Sequence, residues 1–404
     1  MSKETPVTEF LALVTREWVA YGSEGVSLRD AVHEIARAHG ARAEVEVQAD
    51  SAVLTVYEGH RVETVVVVAS QQVTRLDRFT DLRAVIARAK DPEADLDELS
   101  RDIVVIAKSP PLYSEFLKAL GIVLFTIGFS VNVQATWQEV GFAAVTGVIV
   151  GLIVIAGDRI QRVSLLTPFV AAVVVSVVVL LIFDHYEIDG GPILLMIPAL
   201  FFFIPGDILS ASMFEMAAGR ITAGGVQFVY SIFVLLLLYL GVVIGAALTG
   251  TSTSVLFAEA LPAEFNDVVL WLGWVLFAFG FMLAFSAPMR QYGWVLLITL
   301  VAFGVQQLGT IVFGEIVGTY LAAAAMVIVA VLISRNPARP PVVVLALSGF
   351  FVLTVGALGL EGFTALISGN PVEGFTDLFK MLTVGMAIAL GLLTGSVLVH
   401  RTTQ

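Results

Sequence analysis

Residues Pro198-Ala-Leu-Phe-Phe-Phe-Ile-Pro-Gly206 form an apolar stretch that ends in a Pro-Gly pair, and Asp207-Ile-Leu-Ser-Ala-Ser-Met-Phe-Glu215 follows directly. Pro205 lacks an N–H and disrupts the hydrogen-bond ladder of a helix, while Gly206 permits a bend. Carbonyl groups exposed at such a break can coordinate a ligand, and the helix that follows presents free N–H groups that suit a carboxylate. The stretch therefore predicts a broken helix at a ligand site, with a simple proline kink capped by Asp207 as the alternative.

Composition separates the chain into a soluble part and a membrane part. Hydrophobic residues make up 58% and charged residues 14% of the 404 residues, whereas soluble proteins carry about 25% charged residues. Residues 1–116 hold 13 basic and 20 acidic residues, while residues 117–404 hold only 9 and 14. We therefore predict a soluble domain over residues 1–116, followed by a membrane domain.

Charge and motif content argue against several functions. The net charge of −12 is unsuited to nucleic acid, whose binding needs clustered Lys and Arg. The chain has no cysteine, so disulfides, thiolate metal sites and cysteine nucleophiles are excluded. No hydrolase, zinc-protease or phosphate-loop motif accompanies His33, His39 and His60, which we interpret as surface or structural residues. We expect neither an enzyme nor a bound metal or cofactor.

The first 116 residues have the hydrophobic periodicities of a small α+β domain. Helical spacing predicts four helices, over about Thr8–Tyr21, Ser27–Gly40, Leu76–Ala89 and Leu96–Ile106. Ser27 is the predicted N-cap of the second helix, which an interruption at Gly22 and Gly25 precedes and Gly40 ends. Period-two alternation predicts two or three strands between about residues 43 and 68, with turns at 48–51 and 58–60. The acidic run Asp91–Glu98 is interpreted as a solvated helix start.

Ten apolar stretches follow the soluble domain, and a helix needs roughly 20 residues to cross about 30 Å of hydrocarbon. The predicted spans are about Lys118–Gln134, Val140–Ala156, Leu165–Phe183, Pro192–Ile204, Val226–Leu248, Val268–Phe285, Trp294–Val312, Ile316–Ser334, Val342–Leu360 and Phe379–Val399. The fourth is too short to span alone and continues into a polar segment.

The Lys and Arg residues of the short loops predict the orientation of these spans. With the N-terminal domain in the cytoplasm, the inner cations are Lys118, Arg159, Arg162, Arg220, Arg290, Arg335, Arg339 and Arg401. Only Lys380 falls on the outer side. Most acids of the membrane domain, Glu373 and Asp377 among them, fall in predicted outer loops. We therefore predict a multi-pass membrane protein with both termini in the cytoplasm.

The spans divide into two sets of five, residues 117–248 and 249–404, separated by the long loop Thr249–Asp267. Because five is odd, the second set crosses the membrane in the opposite sense, so related halves form an inverted repeat. The predicted fold is an α-helical membrane protein with ten transmembrane helices in a 5+5 inverted repeat with broken helices, plus an N-terminal α+β cytoplasmic domain.

One short match supports the repeat. Phe201 and Gly206 of the fourth span correspond to Phe351 and Gly356 of the ninth, although Val355 stands where the first half has a proline. Paired interrupted helices in two halves point to a transport site near the membrane midplane.

The stretch from Pro198 to Gly219 resembles the proline-rich signature of the threonine/serine exporter family. The N-terminal domain is similar too, with Gly22 to Gly40 followed by the strands and by Leu76-Asp-Arg-Phe-Thr-Asp-Leu82. The resemblance implies a bacterial plasma-membrane exporter that moves L-threonine and L-serine outward in exchange for protons. The sequence departs from the family at Val355-Gly356, where a second Pro-Gly is typical, which leaves the role of the second half and the choice of substrate open.

Ionisable residues at membrane depth are costly and are functional by default. Asp207 and Glu215 follow the break and lie eight residues apart, about two helical turns. One of them can take up a proton while the other holds the ammonium group of a substrate. Asp207 is the first candidate, whereas Glu215 has the alternative of pairing with Arg220. Glu315 and Glu361, each at the end of a span, are second candidates for proton coupling.

Polar side chains complete the candidate site. The predicted substrate-binding residues are Asn132, Pro205, Gly206, Asp207, Ser210, Gln306, Gln307, Thr310 and Ser348. The two adjacent glutamines either hold helices together or line a cavity. The hydroxyl groups of Ser210 and Ser348 either bind a hydroxy amino acid or bond the backbone of their own helices.

Our leading hypothesis is a proton-coupled exporter of L-threonine and L-serine that works by alternating access. Its partners are small amino acids, protons and the lipid bilayer, and a homo-oligomer is compatible with this architecture. Two alternatives stay open at this point. One is an exporter of other small metabolites, and the other is a membrane-tethered sensor or enzyme that acts through the N-terminal domain.

Overall fold

The computed structural model describes residues 7–20, 25–47, 51–68, 75–134, 136–160, 166–185, 191–256, 265–336, 339–353 and 355–401. The described chain forms two compact units. The first comprises Met1–Leu112, Phe285–Pro288 and Leu332–Val344. The second comprises Tyr113–Ala284, Met289–Val331 and Leu345–Gln404.

The first unit contains four helices and three strands. These are α1 (Val7–Ala20), α2 (Gly25–Ala38), β1 (Arg42–Val47), β2 (Ser51–Glu58), β3 (Arg61–Val68), α3 (Leu76–Ala89) and α4 (Leu96–Lys108). The strands form an antiparallel sheet in the order β1-β2-β3. The predicted order of helices and strands is confirmed.

One face of this sheet forms the core of the first unit. Val45, Leu54 and Val56 alternate with outward-facing residues along β1 and β2 and are buried, as the period of two requires. Phe10 and Leu11 of α1 are fully buried as well, and α1 and α2 contact the sheet. Burial of these apolar side chains stabilises the unit by roughly 25 cal/mol for each Å² removed from water.

Three local expectations about the first unit can be compared with the structure. The carboxylate of Asp95 accepts the backbone N–H groups of Asp97 and Glu98 and caps α4, so the prediction of a solvated helix start is confirmed. His39 Nε2 lies 3.0 Å from the carbonyl oxygen of Ala89, which agrees with a structural role. The prediction of Ser27 as an N-cap is wrong, because α2 already begins at Gly25.

Helix α3 is bonded to two loop segments of the first unit that come from far along the chain. The N–H groups of Leu76 and Asp77 donate to the carbonyl oxygens of Phe285 (3.3 Å) and Ser286 (3.1 Å). Ser286 has a φ of 53°, in the left-handed region that is uncommon for residues other than glycine. These carbonyls satisfy N–H groups at the first turn of α3 that have no partner within the helix.

The same helix contacts a second segment through the side chain of Arg83. Its Nη2 donates to the carbonyl oxygen of Ser334 at 2.5 Å, and its Nη1 to that of Arg339 at 3.4 Å. Burial lowers the pKa of this guanidinium from its usual value, because water is removed from around the charge. Both acceptors are backbone carbonyl oxygens, so these two hydrogen bonds do not depend on which side chains residues 334 and 339 carry.

The second unit contains the remaining helices. They are α5 (Glu115–Ser130), α6 (Trp137–Arg159), α7 (Thr167–His185), α8 (Pro192–Leu200), α9 (Gly206–Ala217), α10 (Ile221–Thr249), α11 (Asp267–Ala284), α12 (Tyr292–Phe313), α13 (Glu315–Ser334), α14 (Val342–Val352), α15 (Val355–Ile367) and α16 (Pro371–Arg401). Among the described residues, seven stretches are long and apolar enough to cross a membrane, counting Val342–Ile367 as one. Thr167–Phe183 is a shorter apolar helix.

The ninth predicted span is divided into α14 and α15, in agreement with the interrupted helix that the sequence predicts in the second half. The tenth begins at Pro371 instead of near Phe379. Glu373 and Asp377 therefore lie within α16 and not in a loop. Charged residues in the first turns of an apolar helix hide its beginning from a hydropathy reading, because a helix can extend beyond the hydrocarbon. Gly22, the turn at residues 48–50 and Arg162 lie outside the described residues.

Glycines allow three pairs of long helices to approach closely. Between α5 and α11, a Cβ added to Gly128 would lie 2.7 Å from the oxygen of Gly273, and one added to Gly280 would lie 2.7 Å from the oxygen of Gly121. Gly241 and Gly245 of α10 contact α7, and Gly391 and Gly395 of α16 contact α13 in the same way. Small residues of this kind are typical of helix interfaces in membranes.

Candidate functional site

The first helix break lies between α8 and α9 and is built by two prolines. Pro198 lies inside α8 and Pro205 directly precedes α9, so two backbone N–H groups are missing from the ladder. The chain turns through residues 201–204, where the N–H groups of Phe201 and Ile204 still donate back to Ile197 and Leu200. We predicted that the helix after the break begins at Asp207, but α9 begins one residue earlier, at Gly206.

The second break lies between α14 and α15 and contains no proline. Helix α14 ends at Val352 and α15 begins at Val355. The N–H of Leu353 is shared between the carbonyl oxygens of Gly349 (3.3 Å) and Phe350 (3.2 Å), a pattern that is common at helix ends. The ladder therefore ends here although the Pro-Gly pair of the first half is absent.

The two breaks meet within the second unit. A Cβ added to Gly356 would lie 3.2 Å from the Cα and 3.3 Å from the N of Gly206. The rings of Phe201 and Phe351 lie 5.5 Å apart in an edge-to-face arrangement. The four residues that the sequence comparison of the two halves paired are thus in direct contact with their counterparts.

Aromatic rings surround this meeting point. The phenylalanine cluster, as we name it, consists of Phe125, Phe129, Phe201, Phe277, Phe281 and Phe351, all buried. The ring of Phe129 stacks on that of Phe201 at 3.7 Å, and the rings of Phe125 and Phe277 lie 4.5 Å apart. Such pairs contribute about 0.5–1.5 kcal/mol each beyond area burial. The cluster joins α5, α11 and both breaks.

Asp207 lies in the first turn of α9, half-buried beside the break. Its position fits the preference of acids for helix N-termini. Within the described parts of the chain, the salt bridges do not include Asp207.

Glu215 has a different environment from Asp207. It is buried, and its carboxylate forms a salt bridge with Nε of Arg220. The backbone N–H of Arg220 also donates to the carbonyl oxygen of Glu215 at 2.9 Å, where the chain turns after α9 at Gly219, which has a φ of 83°. The structure thus places Glu215 in the ion pair that the sequence offered as its alternative role.

The candidate serines donate to their own helices. The hydroxyl of Ser210 donates to the carbonyl oxygen of Gly206 at 2.8 Å, and that of Ser348 donates to Leu345 at 2.9 Å. Both residues are fully buried. Their oxygen lone pairs can still accept a hydrogen bond, and Ser210 lies one turn after Gly206 in α9.

The remaining polar candidates are distributed over other elements. Asn132 lies just after α5, and its Nδ2 donates to the carbonyl oxygen of Gly128 within that helix. Gln306 Nε2 lies 3.3 Å from the hydroxyl of Thr319 on α13. Gln307 is exposed, and Thr310 is half-buried near the end of α12. The hydrogen bond of Asn132 leads back into α5 and that of Gln306 leads to α13, so neither reaches the break at Asp207.

Three acids of the second half, Glu315, Glu361 and Asp377, interact with Lys380. Lys380 of α16 forms a salt bridge of 2.8 Å with Glu315 at the start of α13. Glu361 of α15 interacts electrostatically with Lys380 and Asp377. Sequence reasoning named both glutamates but placed Lys380 at the outer end of the tenth span, because it set the start of α16 too late.

Two features of the site were not predicted from the sequence. The phenylalanine cluster has a readable signal in the spacing Phe125, Phe129 and Phe277, Phe281, each four residues apart on an apolar helix. The contact between Gly206 and Gly356 has none, because a tertiary contact of two breaks depends on how both halves pack.

The described geometry allows a comparison with known families. A family model described as "Putative threonine/serine exporter" matches residues 9–249, more than half of the chain. The chain belongs to this family. The resemblance seen in the sequence is therefore confirmed, and the protein is a multi-pass membrane protein of a transporter family. No curated protein and no solved structure matches the chain.

The match to the exporter family ends at the last residue of α10, Thr249. It covers α1 to α4 with the sheet, the first break and Asp207. The second break and the acids around Lys380 lie beyond it. Within the matched range, Asp207 beside the Pro-Gly break forms no salt bridge with the residues that the structure describes.

Proposed function

We propose that the chain is a secondary active transporter that exports L-threonine and L-serine in exchange for protons by alternating access. The observation that carries the proposal is the meeting of two helix breaks at Gly206 and Gly356, with Asp207 beside them. Broken helices supply unpaired carbonyl and N–H groups at membrane depth, where they are tolerated around a binding cavity. Membership of the exporter family supports the choice of threonine and serine as substrates.

An inverted repeat of the two membrane halves is the second part of the proposal. Gly121 and Gly128 of α5 have the same spacing as Gly273 and Gly280 of α11. The contact of Gly128 with Gly273 mirrors that of Gly280 with Gly121. A two-fold axis exchanges such pairs, and residues near the axis touch their own counterparts.

Further contacts agree with the same axis. Phe125 and Phe277 hold equivalent positions in α5 and α11, and their rings touch. Gly241-x-x-x-Gly245 packs on α7, and Gly391-x-x-x-Gly395 packs on α13. These glycine pairs lie 150 positions apart, the same separation as Gly206 and Gly356. The phenylalanine cluster on this axis separates the two sides of the membrane when the halves are closed.

Asp207 is the proposed coupling residue. A single carboxylate can bind either a proton or the ammonium group of an amino acid, but not both. Release of the substrate on one side then leaves the carboxylate to take up a proton for the return. Glu215 is held by Arg220, so it adds no free charge to the exchange. The carbonyl oxygens between Phe201 and Pro205 each have two lone pairs and are suited to the ammonium and hydroxyl groups of threonine.

Counterflow of labelled threonine in proteoliposomes tests the proposal. Counterflow requires binding and alternating access but no net proton movement. We expect the native protein to exchange threonine and serine and to accumulate threonine under a proton gradient. Asp207→Asn is expected to lose accumulation. Retained exchange would assign Asp207 to the proton alone, and lost exchange would assign it to the substrate as well.

A matched variant keeps the test specific. Asp267→Asn makes the same chemical change at an exposed residue that begins α11 and is expected to leave transport intact. If the well-folded native protein moves neither amino acid, the proposed function is wrong. If Asp207→Asn behaves like the native protein, coupling must be sought at Glu315 or Glu361.

A further inference from the structure

The two edges of the N-terminal sheet differ in their chemistry. On the outer face, β1 presents Arg42, Glu44 and Glu46, all exposed. Charged side chains on an edge strand oppose pairing with another chain. The guanidinium of Arg42 also lies over the ring of Tyr57 on β2, 5.8 Å from its centroid. This edge is protected.

Among the described strands, β3 forms the opposite edge of the sheet and lacks that protection. Its outward row consists of Val62, Thr64, Val66 and Val68, and the three valines are 59%, 65% and 67% exposed. The strand pairs with β2 without interruption over its eight residues, so no bulge turns it away. It contains neither lysine nor proline, the residues that commonly block edges.

The exposed valines continue onto the neighbouring strand. In the register of the sheet, Val53 lies opposite Val66, Thr55 opposite Thr64, and Tyr57 opposite Val62. The hydroxyl oxygens of the two threonines lie 3.1 Å apart. The outer face therefore changes from charged on β1 to apolar on β3, and the apolar side coincides with the open edge.

We propose that β3 is a dimer interface, where it pairs antiparallel with β3 of a second copy of this chain to give a continuous six-stranded sheet. The open edge carries backbone N–H and C=O groups that another strand satisfies. The Val-Thr-Val-Val row is apolar when read in either direction, so it complements itself in an antiparallel pair. Cross-strand valine pairs then remove exposed apolar surface from water.

The charges of β3 are compatible with this pairing. Arg61 and Glu63 lie at the hairpin end of the strand, and antiparallel pairing places them opposite the valine end of the second copy. Like charges are thereby kept apart. A lipid surface fits the edge less well, because lipid supplies no strand to satisfy the backbone groups and anionic headgroups need clustered Lys and Arg.

Cysteine crosslinking in native membranes tests the interface with the full chain. The chain has no cysteine of its own, so a single introduced thiol reports one position. We expect Thr64→Cys to give a covalent dimer with a short bis-maleimide reagent. Glu44→Cys, on the outer face of β1, is the matched control and is expected to remain monomeric. An adduct of Thr64→Cys with a different protein, or no dimer, would overturn the proposal.

A charge substitution provides a second measurement. Val66→Lys places a cation in the centre of the open edge and is expected to reduce the dimer fraction of the detergent-purified protein by about tenfold. Val105→Lys makes the same change on α4, where Val105 is 67% exposed, and is expected to leave the dimer intact. A dimer that survives Val66→Lys unchanged would show that β3 is not the interface.

Discussion

Gly206 and Gly356 face each other at the two breaks, but only one of them has room for a methyl group. A Cβ on Gly206 would lie 3.5 Å from the N of Gly356, an ordinary contact. A Cβ on Gly356 would press on the side chain of Ile204 and on the backbone of Gly206 at 3.2 Å. We expect Gly356→Ala to destabilise the protein by about 1–3 kcal/mol, since overpacking displaces a break that cannot relax freely. Thermal unfolding in detergent measures the difference.

The control for this prediction lies in α10. A Cβ on Gly225 meets no atom within 4 Å, and alanine is the better helix former by up to about 1 kcal/mol. Gly225→Ala and Gly206→Ala are expected to unfold at or above the native temperature. Equal losses in all three variants would contradict a specific contact at Gly356.

The residue scale also shows what the sequence could predict. Pro205 and Gly206 disclose the first break, since the effect of proline on a helix is local. The pairing of Glu215 with Arg220 was foreseeable as an alternative, because the two lie five positions apart. The choice between a free and a paired carboxylate was not foreseeable, since it depends on where the chain turns after Gly219.

The crossing of α5 and α11 is the element-scale feature on which the proposed repeat depends most. A Cβ on Gly128 would meet the backbone of Phe277, with its Cα at 2.6 Å, and backbone atoms cannot rotate away. We expect Gly128→Ala to prevent native packing of these helices and to lose the monodisperse peak in size-exclusion chromatography. Gly141→Ala in α6, where no atom lies within 4 Å, is expected to behave as the native protein. Native behaviour of Gly128→Ala would exclude this crossing.

Arg83 offers a second prediction for elements, within the first unit. Its guanidinium bonds the carbonyl oxygens of Ser334 and Arg339, and hydrogen bonds of a charged donor contribute about 1.5–3 kcal/mol. Arg83→Gln is expected to speed hydrogen–deuterium exchange in residues 335–344. Arg101→Gln is the control, because Arg101 bonds only a carbonyl of its own helix among the described contacts. Unchanged exchange in both variants would mean that Arg83 does not hold this segment.

Elements were predictable where the pattern is local. The strands and α3 follow from periodicity, and their bounds agree with the structure within about two residues. The start of α16 was missed, because charged residues concealed the first turns of this helix. The interruption between α14 and α15 was predicted from the match of Phe351 and Gly356 with the first half, although no proline marks it. Packing against neighbouring helices decides where α16 begins, and packing is not visible in hydropathy.

At the scale of the whole molecule, the proposed repeat explains why the second half can lack the Pro-Gly pair of the first half. The exporter-family match covers residues 9–249 and stops before the second set of helices. Gly356 remains although the neighbouring proline and acid are missing. Contacts along a pseudo-two-fold axis require small residues on both sides, whereas a ligand requires its charge on one side only. The second half is therefore free to retain packing residues and to lose coupling residues.

Membrane topology is the last prediction, and it separates two counts of crossings. Between the soluble domain and Ser254, α6 and α10 are the two described helices that meet the length criterion for spanning helices. Two crossings would place both ends on the same side. If α5, α7 and the broken α8–α9 pair also cross, the count is odd and the ends lie on opposite sides. Two exposed positions report these ends, Glu93 before the membrane domain and Ser254 after α10. The cysteine-free chain permits a single thiol at each position.

With five crossings and the N-terminal domain in the cytoplasm, a membrane-impermeant maleimide is expected to label Ser254→Cys in intact cells. Glu93→Cys is expected to react only after the cells are broken, and the native chain should react in neither case. Labelling of both positions from the same side would contradict the odd count, and with it the inverted sense of the second half. Labelling of Glu93→Cys alone in intact cells would reverse the orientation but keep the repeat. The N-terminal domain would then lie outside the cell, which would contradict the orientation predicted from the Lys and Arg residues of the short loops.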